Sequence, residues 1–430
     1  MPNIVQFGVV PRERFGFSVC SAVKAGRWVF LSGLFGGDLE NGLAPEVLGR
    51  PGLPLAGLPR HRREGDAVLR RMVALLDESG APLSNAVRLD QFYPTAAAVD
   101  PYHHARKACF GSLIPPSTSV LAEELLVDGA ALDVSLIAVL PGHDMEPRRA
   151  IPPDVPVPEH SGFATSVAAG DYVFVAGQMA NNEAMSELAG PAYRPAKAIW
   201  NGTDVRLQTE FLITSRLKPS LAAAGSSLAN AVKAQVYLTD PADLPNFMDV
   251  WNRHFGDNPC ALTVVTTSGL GFSDAVIEIN LIALRDDGAT QKQVIDDEAS
   301  RPMRLGPAAV RAGDLVFLSG LYAADEDGLI PSARRAGHLK PFGGSAREQM
   351  RAILAASGRI LEASGSALPN VVRAQHFYED FGGFLASQQV WQEVLPDHPV
   401  PLQAVRLPPG PVPGCELVVD LWGYAPMDGA

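Results

Sequence analysis

Two acidic residues lie within apolar strands, where a carboxyl group can serve as a general acid or base. Glu278 lies in the segment VIEINL at positions 276–281, and Asp133 takes the same place in an earlier copy of this strand. Burial disfavours the charged form of a carboxylic acid and raises its pKa toward the values that proton transfer at neutral pH requires. Both residues are therefore candidate catalytic carboxylates. The alternative is a structural carboxylate that is solvated or salt-bridged at a domain junction.

Three further residues could act as nucleophiles, and each would need a nearby base. Cys260 follows a proline in a loop, with His254 close by in the sequence. Ser32 and Ser319 end two strands that share one sequence pattern. The alternatives are a small core residue for the cysteine and turn residues for the serines. All three are kept as candidates for substrate contact.

The sequence has no motif for a metal or a nucleotide. Its four cysteines are scattered singly, and its nine histidines form neither HxH nor HExxH. The glycine-rich GxGxxG and Walker loops that bind phosphates are also missing. We therefore expect a metal-independent protein with no cofactor.

One strand pattern occurs three times and organises the chain. It reads AVKAGRWVFLSG at 22–33, VAAGDYVFVAG at 167–177 and VRAGDLVFLSG at 310–320, so that its final glycines are 144 and 143 residues apart. A second landmark, Asn-Ala/Val-Val-Arg/Lys, begins at Asn85, Asn230 and Asn370. Two landmarks in register predict three tandem copies of one domain. We assign these domains to residues 1–145, 158–286 and 300–430, and refer to them as the first, second and third repeats.

Each repeat predicts the order β, β, α, β, α, β, β, which is an α+β fold with one sheet and its helices on one face. The helices are expected at 66–79 and near 102–110 in the first repeat, at 205–224 and 244–255 in the second, and at 346–364 and 384–394 in the third. Pro219 lies inside the helix expected at 205–224 and should kink it or start a new turn. Proline-rich and polar segments at 141–160 and 285–301 read as connectors between the repeats.

Composition excludes some classes of function. The formal net charge is −12, whereas proteins that grip phosphate backbones need clustered lysine and arginine. We therefore expect no nucleic-acid partner. Neither a signal-peptide pattern nor a membrane-spanning apolar run is present, so we expect a cytoplasmic protein without a membrane partner.

The repeated pattern resembles the YjgF/Rid/UK114 family. The resemblance rests on the strand ending Ser-Gly or Ala-Gly, the segment AAGSSLANAVK, the strand end Thr239-Asp240 and the last strand VIEINLIA. Members of this family are usually homotrimers of one chorismate-mutase-like domain, with a central β-barrel, outer helices and a cleft at each subunit interface. The resemblance implies that this chain is such a trimer fused into one polypeptide, an intramolecular pseudo-trimer that could pair further into a homodimer.

The better-known members of the family hydrolyse enamines and imines. In them an arginine two residues after a proline holds the substrate carboxylate, and a glutamate on the last strand positions or activates water. The residue two after the proline is Thr118, Ala261 or Gln403 in the three repeats, and the nearest guanidinium is that of Arg406. Thr118 and Gln403 keep hydrogen-bonding capacity, which would suit a neutral polar ligand.

The family's acid position falls on Asp133 and Glu278, while the third repeat has Val418, with Asp420 two residues on. The aromatic residue that usually enters the cleft is matched by Phe163. The resemblance thus implies a hydrolytic deaminase or amide/imine hydrolase of a small nitrogen-containing metabolite. Two alternatives stay open: a non-catalytic small-molecule-binding or scaffolding protein, and a ribonuclease, which the acidic composition disfavours.

Overall fold

The structure is a computed structural model that describes residues 4–11, 13, 15–53, 55–142, 144–158, 161–195, 197–199, 202–335 and 344–427. Within these residues the chain forms three large sheets with helices packed against them. No helix among them is long and apolar enough to cross a membrane.

The first repeat supplies one six-stranded sheet, in the order β1-β2-β3-β9-β6-β7, and two long helices. Its elements are β1 Ile4–Phe7, β2 Ala22–Ala25, β3 Trp28–Leu34, β4 Gly37–Asp38, β5 Gly42–Leu43, α1 Pro45–Leu48, α2 Arg60–Ser79, β6 Ala86–Tyr93, α3 Val99–Phe110, β7 Ser117–Leu121, β8 Glu124–Leu125 and β9 Asp133–Val139. Helix α2 begins six residues before the predicted start and ends at Gly80, whose φ of +85° suits glycine.

The second repeat supplies the next six-stranded sheet, in the order β10-β11-β12-β15-β13-β14. Its elements are β11 Ser166–Ala169, β12 Tyr172–Gln178, α4 Asp204–Leu212, α5 Lys218–Ala223, β13 Ser226–Leu238, α6 Leu244–Phe255, β14 Ala261–Thr266 and β15 Ile277–Arg285. The edge strand β10 Arg148–Ala150 comes from the segment 141–160 that was expected to be a connector, and it pairs with β11. A π-helical turn, Ile213–Leu217, joins α4 to α5, and Pro219 is the second residue of α5. The interruption follows because proline cannot donate the hydrogen bond that would continue an α-helix.

The third repeat supplies a seven-stranded sheet, in the order β16-β17-β18-β23-β21-β22-β8, and so borrows β8 from the first repeat. Its elements are β17 Ala309–Ala312, β18 Leu315–Leu318, β19 Ala324–Asp325, β20 Gly328–Leu329, α7 Ala346–Ala363, β21 Val371–Tyr378, α8 Phe384–Val394, β22 Leu402–Arg406 and β23 Leu417–Tyr424. The edge strand β16 Lys292–Ile295 comes from the segment 285–301 that was expected to be a connector, and it pairs with β17. Helices α6 and α8 have the predicted ends.

Strand register gives the equivalent residues of the three repeats. The strands that follow Asn85, Asn230 and Asn370 are β6, β13 and β21. Each of them pairs antiparallel with the last strand of its repeat, β9, β15 or β23. Each also pairs in parallel with the strand that follows the second long helix of its repeat, β7, β14 or β22. The parallel pairs align Asp90 with Thr118, Gln235 with Thr263, and Gln375 with Gln403. The residue equivalent to Thr118 in the second repeat is therefore Thr263. The assignment of Ala261 was two residues out, because Pro259 lies farther from the paired segment than Pro116 and Pro401 do. An arginine is missing in either register.

The three sheets share a core. Aromatic residues of all three meet in one buried cluster, in which Trp28 contacts Tyr172 edge-on at 4.9 Å and Phe30 contacts Trp422 at 6.1 Å between ring centroids. Edge-to-face contacts of this kind stabilise a core beyond the area that they bury. The helices cover the outer side of each sheet through separate apolar clusters.

The expected central β-barrel is not found in the strand pairing. Among the described residues the sheets stay separate, and their edges meet only at β22 with β8 and at single bridges such as Leu121 with Gly269 and Val19 with Val400. Side chains fill the space instead. Arg88 and Arg373 both pair with Asp90, at 2.8 and 2.5 Å, and Gln235 donates to Gln375 at 2.8 Å. The interior thus contains a polar layer joined by hydrogen bonds between side chains of different repeats.

Candidate functional site

A cavity of about 390 Å³ lies between the first and second repeats and contains Glu278. Strand β7 and helix α3 of the first repeat form one side, and strands β12 and β15 of the second form the other. Its polar lining residues are Asp100, His103, Ser117, Ser119, Ser161, Gln178, Asn181 and Glu278. Apolar residues, among them Phe163, Met179 and Leu270, form much of the remaining wall. A concave, mostly apolar cavity with a few converging polar groups is typical of a small-molecule site.

Glu278 is held at the wall of the cavity by its strand neighbours. A Cβ at Gly177 would lie 1.9 Å from the Oε1 of Glu278, so the glycine that ends the repeated strand makes room for the carboxyl group. Burial raises the pKa of Glu278 to about 8; a hydrogen bond from the backbone of Ser119 opposes the increase, and the charge of Asp90 adds to it. Glu278 is therefore largely protonated at neutral pH and can exchange a proton slightly above it.

Thr118 lies next to the carboxyl group. Its Oγ1 accepts a hydrogen bond from Asn280 at 3.0 Å, and a Cβ built on Gly177 would lie close to both this atom and the carboxyl group of Glu278. Thr118 comes from the first repeat, whereas Glu278 and Asn280 come from the second. Two predicted site residues, Glu278 and Phe163, thus line the same cavity, while Thr118 lies beside Glu278 without lining it.

Helix α3 contributes polar cavity residues that were not predicted from the sequence. His103 lines the cavity, and its Nε2 is buried without a hydrogen-bond partner among the described residues. Burial lowers the pKa of His103 to about 2, helped by the charges of Arg106 and His104, so the ring is neutral. A comparison of the repeats could have identified His103. Helices α3, α6 and α8 begin at equivalent residues, so His103 is equivalent to Met248 and Gln388, and only the first repeat has a histidine at this position.

At the junction of the third and first repeats, Asp133 takes the place of Glu278 but is closed in. The Nε2 of Gln403 donates to its Oδ1 at 2.7 Å, and Ser135 donates to the Oε1 of Gln403 at 2.9 Å. Burial raises the pKa of Asp133 to about 7, against the effect of that hydrogen bond. Asp133 lines neither the cavity at Glu278 nor the small pocket beside Val418, and its carboxyl group is instead in direct contact with Gln403, the counterpart of Thr118.

The junction of the second and third repeats has no acid at this position. Val418 pairs with Phe377 as Glu278 pairs with Tyr237, so Val418 is the equivalent residue. Asp420, two residues on, forms a buried ion pair with Lys233 at 2.7 Å. The small pocket beside Val418 has a volume of about 20 Å³, too little for a metabolite.

Two other predicted residues, Cys260 and Arg406, lie away from the cavity. Cys260 is buried, and burial raises the pKa of its thiol to about 12, while His254 is paired with Glu210 at 3.1 Å. Arg406 pairs with Glu123 and Glu124 at 3.0 and 3.1 Å, at the join between β22 and β8.

The two serines also lie elsewhere. Ser319 donates to the carbonyl of Pro307 at 2.6 Å and accepts from the backbone of Leu262 at 2.9 Å, which ties the third repeat to the second. Ser32 is buried and is not among the lining residues of the cavity. Among the described residues, no group of three His, Cys, Asp or Glu side chains is arranged to hold a metal ion.

Comparison with known proteins identifies the family. The family model described as Endoribonuclease L-PSP matches residues 156–285 and 301–409. A RutC family protein of Pyrococcus abyssi is 29% identical over 124 residues, which cover 29% of this chain and 87% of that protein. A RutC family protein of Saccharolobus solfataricus is 30% identical over 121 residues, 28% of this chain and 85% of that protein.

Solved structures of single-domain proteins resemble one part of the chain. A putative endoribonuclease of Thermotoga maritima is 27% identical, covers 32% of this chain and 98% of its own, and has a TM-score of 0.27. E. coli TdcF with bound serine is 22% identical, covers 32% and 99%, and has a TM-score of 0.27. Since the family model matches more than half of the residues, the chain belongs to the YjgF/Rid family, to which the RutC family proteins also belong.

Proposed function

We propose that the protein is a hydrolase of C–N bonds, a deaminase or amide/imine hydrolase of a small nitrogen-containing metabolite. The reaction would take place in the cavity between the first and second repeats. The observation that carries this proposal is a buried acid, Glu278, at the wall of a cavity large enough for a metabolite, with a pKa raised to about 8. Membership of the YjgF/Rid family supports the same reaction class.

The proposed reaction uses Glu278 as the proton carrier. The ionised carboxylate accepts a proton from a water molecule as the water oxygen bonds to the carbon of the C–N or C=N group. Glu278 then returns the proton to the nitrogen. In an amide the C–N bond then breaks and leaves a carboxylic acid, whereas in an imine the resulting carbinolamine also transfers its hydroxyl proton to the nitrogen, through Glu278, as the C=O bond forms. The nitrogen leaves as ammonia or an amine. A pKa near the working pH allows one group to perform both transfers.

The three junctions between the repeats would have different roles. We propose that residues 1–145, 158–286 and 300–430 are three domains that take the place of three subunits in a pseudo-trimeric monomer, which can pair further into a homodimer. The outermost residues, 1–3 and 428–430, lie outside the described part of the chain. In this proposal the first junction keeps the chemistry and the other two are scaffold. A cytoplasmic location and a small-molecule ligand remain predictions.

A non-catalytic binding protein is the second candidate. It is favoured by the missing arginine and by the neutral state of Glu278 at pH 7. Ammonia release from purified protein distinguishes the two. One substrate panel contains enamines and imines generated in place by an amino-acid oxidase or a serine dehydratase, and the other contains stable amides, ureas and cyclic imides. Release from either panel supports the hydrolase; a metabolite that raises the melting temperature without release supports the binding protein.

A further inference from the structure

Arg106, on helix α3, is a buried cation directly behind the cavity wall. Its guanidinium donates to the Oγ of Ser117 at 3.2 Å, and to the Oγ and the carbonyl oxygen of Ser161 at 2.8 and 3.0 Å. A fourth bond goes to the Oε1 of Gln91 at 2.8 Å. All of these acceptors are neutral. Among the described residues, no carboxylate forms a hydrogen bond or an ion pair with Arg106, although its side chain is fully buried.

A buried guanidinium without a counter-ion is unfavourable. Burial lowers the pKa of Arg106, but arginine stays charged at physiological pH. The positive charge therefore faces the cavity through Ser117 and Ser161, which both line it. An anion bound there would supply the missing charge.

The hydroxyl groups of Ser117 and Ser161 are available to donate hydrogen bonds to such an anion. Each hydroxyl oxygen already accepts a hydrogen bond from Arg106, so its own hydrogen is free for another acceptor. Neither hydroxyl donates to an atom of the described residues. Both protons can therefore point into the cavity, where the charge of the arginine makes them stronger donors.

The same positions are apolar at the junction that is closed. Arg106 and Ser117 of the first repeat are equivalent to Trp391 and Leu402 of the third, and Ser161 is equivalent to Phe17. The three apolar residues Phe17, Trp391 and Leu402 belong to one buried cluster. Apolar side chains therefore suffice to pack these positions at the junction of the third and first repeats. At the junction of the first and second repeats, which contains the cavity, the same positions have polar and charged side chains instead.

We propose that Ser117, Ser161 and the charge of Arg106 form a carboxylate-binding subsite in the cavity, separate from the family's missing arginine position. Ser117 lies two residues before Ser119, whose backbone contacts Glu278, so the subsite and the acid are roughly 7 Å apart along β7. The other lining acid, Asp100, is exposed, and water screens its charge. As a deepening of the proposed function, the substrate is then a small amide or imine with a carboxylate a few bonds from its C–N group.

The test compares succinamate, which has an amide and a carboxylate, with neutral succinamide. Binding of both to the full-length Glu278→Gln variant is measured by calorimetry, so that no turnover occurs. We expect succinamate to bind at least tenfold more tightly. We expect Ser161→Ala and Ser117→Ala, each added to that variant, to reduce the preference several-fold. Ser84→Ala, an exposed change outside the cavity, should leave it unchanged.

Equal affinity for the two probes, no binding at millimolar concentration, or a preference unaffected by both serine variants would overturn the subsite. Arg106→Gln would remove the charge directly, but it also leaves a hole in a buried hydrogen-bond network. The two serine variants test the subsite even where Arg106→Gln does not fold. Ammonia release by the parent protein is scored separately. Selective binding of succinamate together with no ammonia release from either substrate panel would refute the hydrolase and keep the subsite. Equal ammonia release from succinamate and succinamide would keep the hydrolase and refute the subsite.

Discussion

Glu278 is the residue whose chemical state determines what the cavity can do. Its carboxyl group contacts the backbone of Ser119 and fits against Gly177, and burial is the main cause of its raised pKa. The sequence pointed to this residue because an acid between apolar strand positions is unusual. It could not give the pKa, because that depends on burial by β7, a strand from another repeat.

The pH dependence of hydrolysis tests the role of Glu278 as a base. Because the ionised form must accept a proton from water, kcat/KM should rise with pH and level off above about 8. A pH profile of ammonia release from pH 5 to 9.5 measures this. A rate that falls through pH 8 would instead assign Glu278 as an acid only.

The free energy of unfolding should depend on pH through the protonation of Glu278. The folded pKa of Glu278, about 8, is above its ordinary value of 4.5, so the stabilising contribution is fully present below pH 4.5. It is lost as the pH rises from about 4.5 to 8, because the unfolded chain releases the proton first. Melting temperatures should therefore decline less over this range in Glu278→Gln than in the parent. Identical declines would contradict the buried, protonated state.

Gly177→Ala tests the fit between the strand end and the carboxyl group. The new methyl group would overlap Oε1, so the carboxyl group must move, and we expect hydrolysis to fall at least tenfold. Gly190→Ala, where a Cβ meets no atom within 4 Å, is the matched control and should retain activity. Parental activity in Gly177→Ala would show that the position of the carboxyl group is not critical.

At the scale of elements, hydrophobic periodicity predicted helices and strands well. Helices α6 and α8 have the predicted ends, whereas α2 is longer at its polar beginning, where apolar periodicity gives no signal. The two-residue error at Ala261 arose because counting from a proline ignores the length of the loop that precedes a strand. Only the parallel pairing of β13 with β14 identifies Thr263.

Gln403→Leu tests how strand β22 closes the junction at Asp133. The leucine cannot donate to the buried carboxyl group, so we expect a loss of about 1 to 3 kcal/mol in the free energy of unfolding. Urea denaturation at pH 8, where Asp133 is largely ionised in the parent, measures this. Unchanged stability would mean that the hydrogen bond from Gln403 contributes nothing net.

At the scale of the whole molecule, the repeats are joined by a shared interior. The aromatic cluster draws on all three sheets, and Asp90 of the first repeat pairs with Arg88 of its own strand and Arg373 of the third. The spacing of the landmarks predicts three tandem copies, and the structure has three large sheets of like strand order. Which junction has the large cavity could not be predicted, because it depends on single side chains, such as Ser117 in the cavity wall where the third repeat has the buried Leu402.

Asp90→Ala tests this shared interior. It leaves two buried guanidinium groups without their carboxylate, and removal of one partner of a buried pair typically costs about 3 to 5 kcal/mol. We expect a large fall in the urea midpoint, and a much smaller one for Glu393→Ala, whose pairs with Arg347 and Arg351 are on the surface. Similar small effects of both changes would argue against a tightly joined interior.

Ammonia release by three proteins, the parent, Glu278→Gln and Asp133→Asn, is the most direct test of the central claim. The account predicts that Glu278→Gln loses at least a hundredfold in kcat/KM on any substrate that the parent hydrolyses. It predicts that Asp133→Asn keeps most of the activity, because Gln403 closes that junction. Loss of activity in Asp133→Asn with full activity in Glu278→Gln would contradict the assignment of the reaction to the cavity between the first and second repeats.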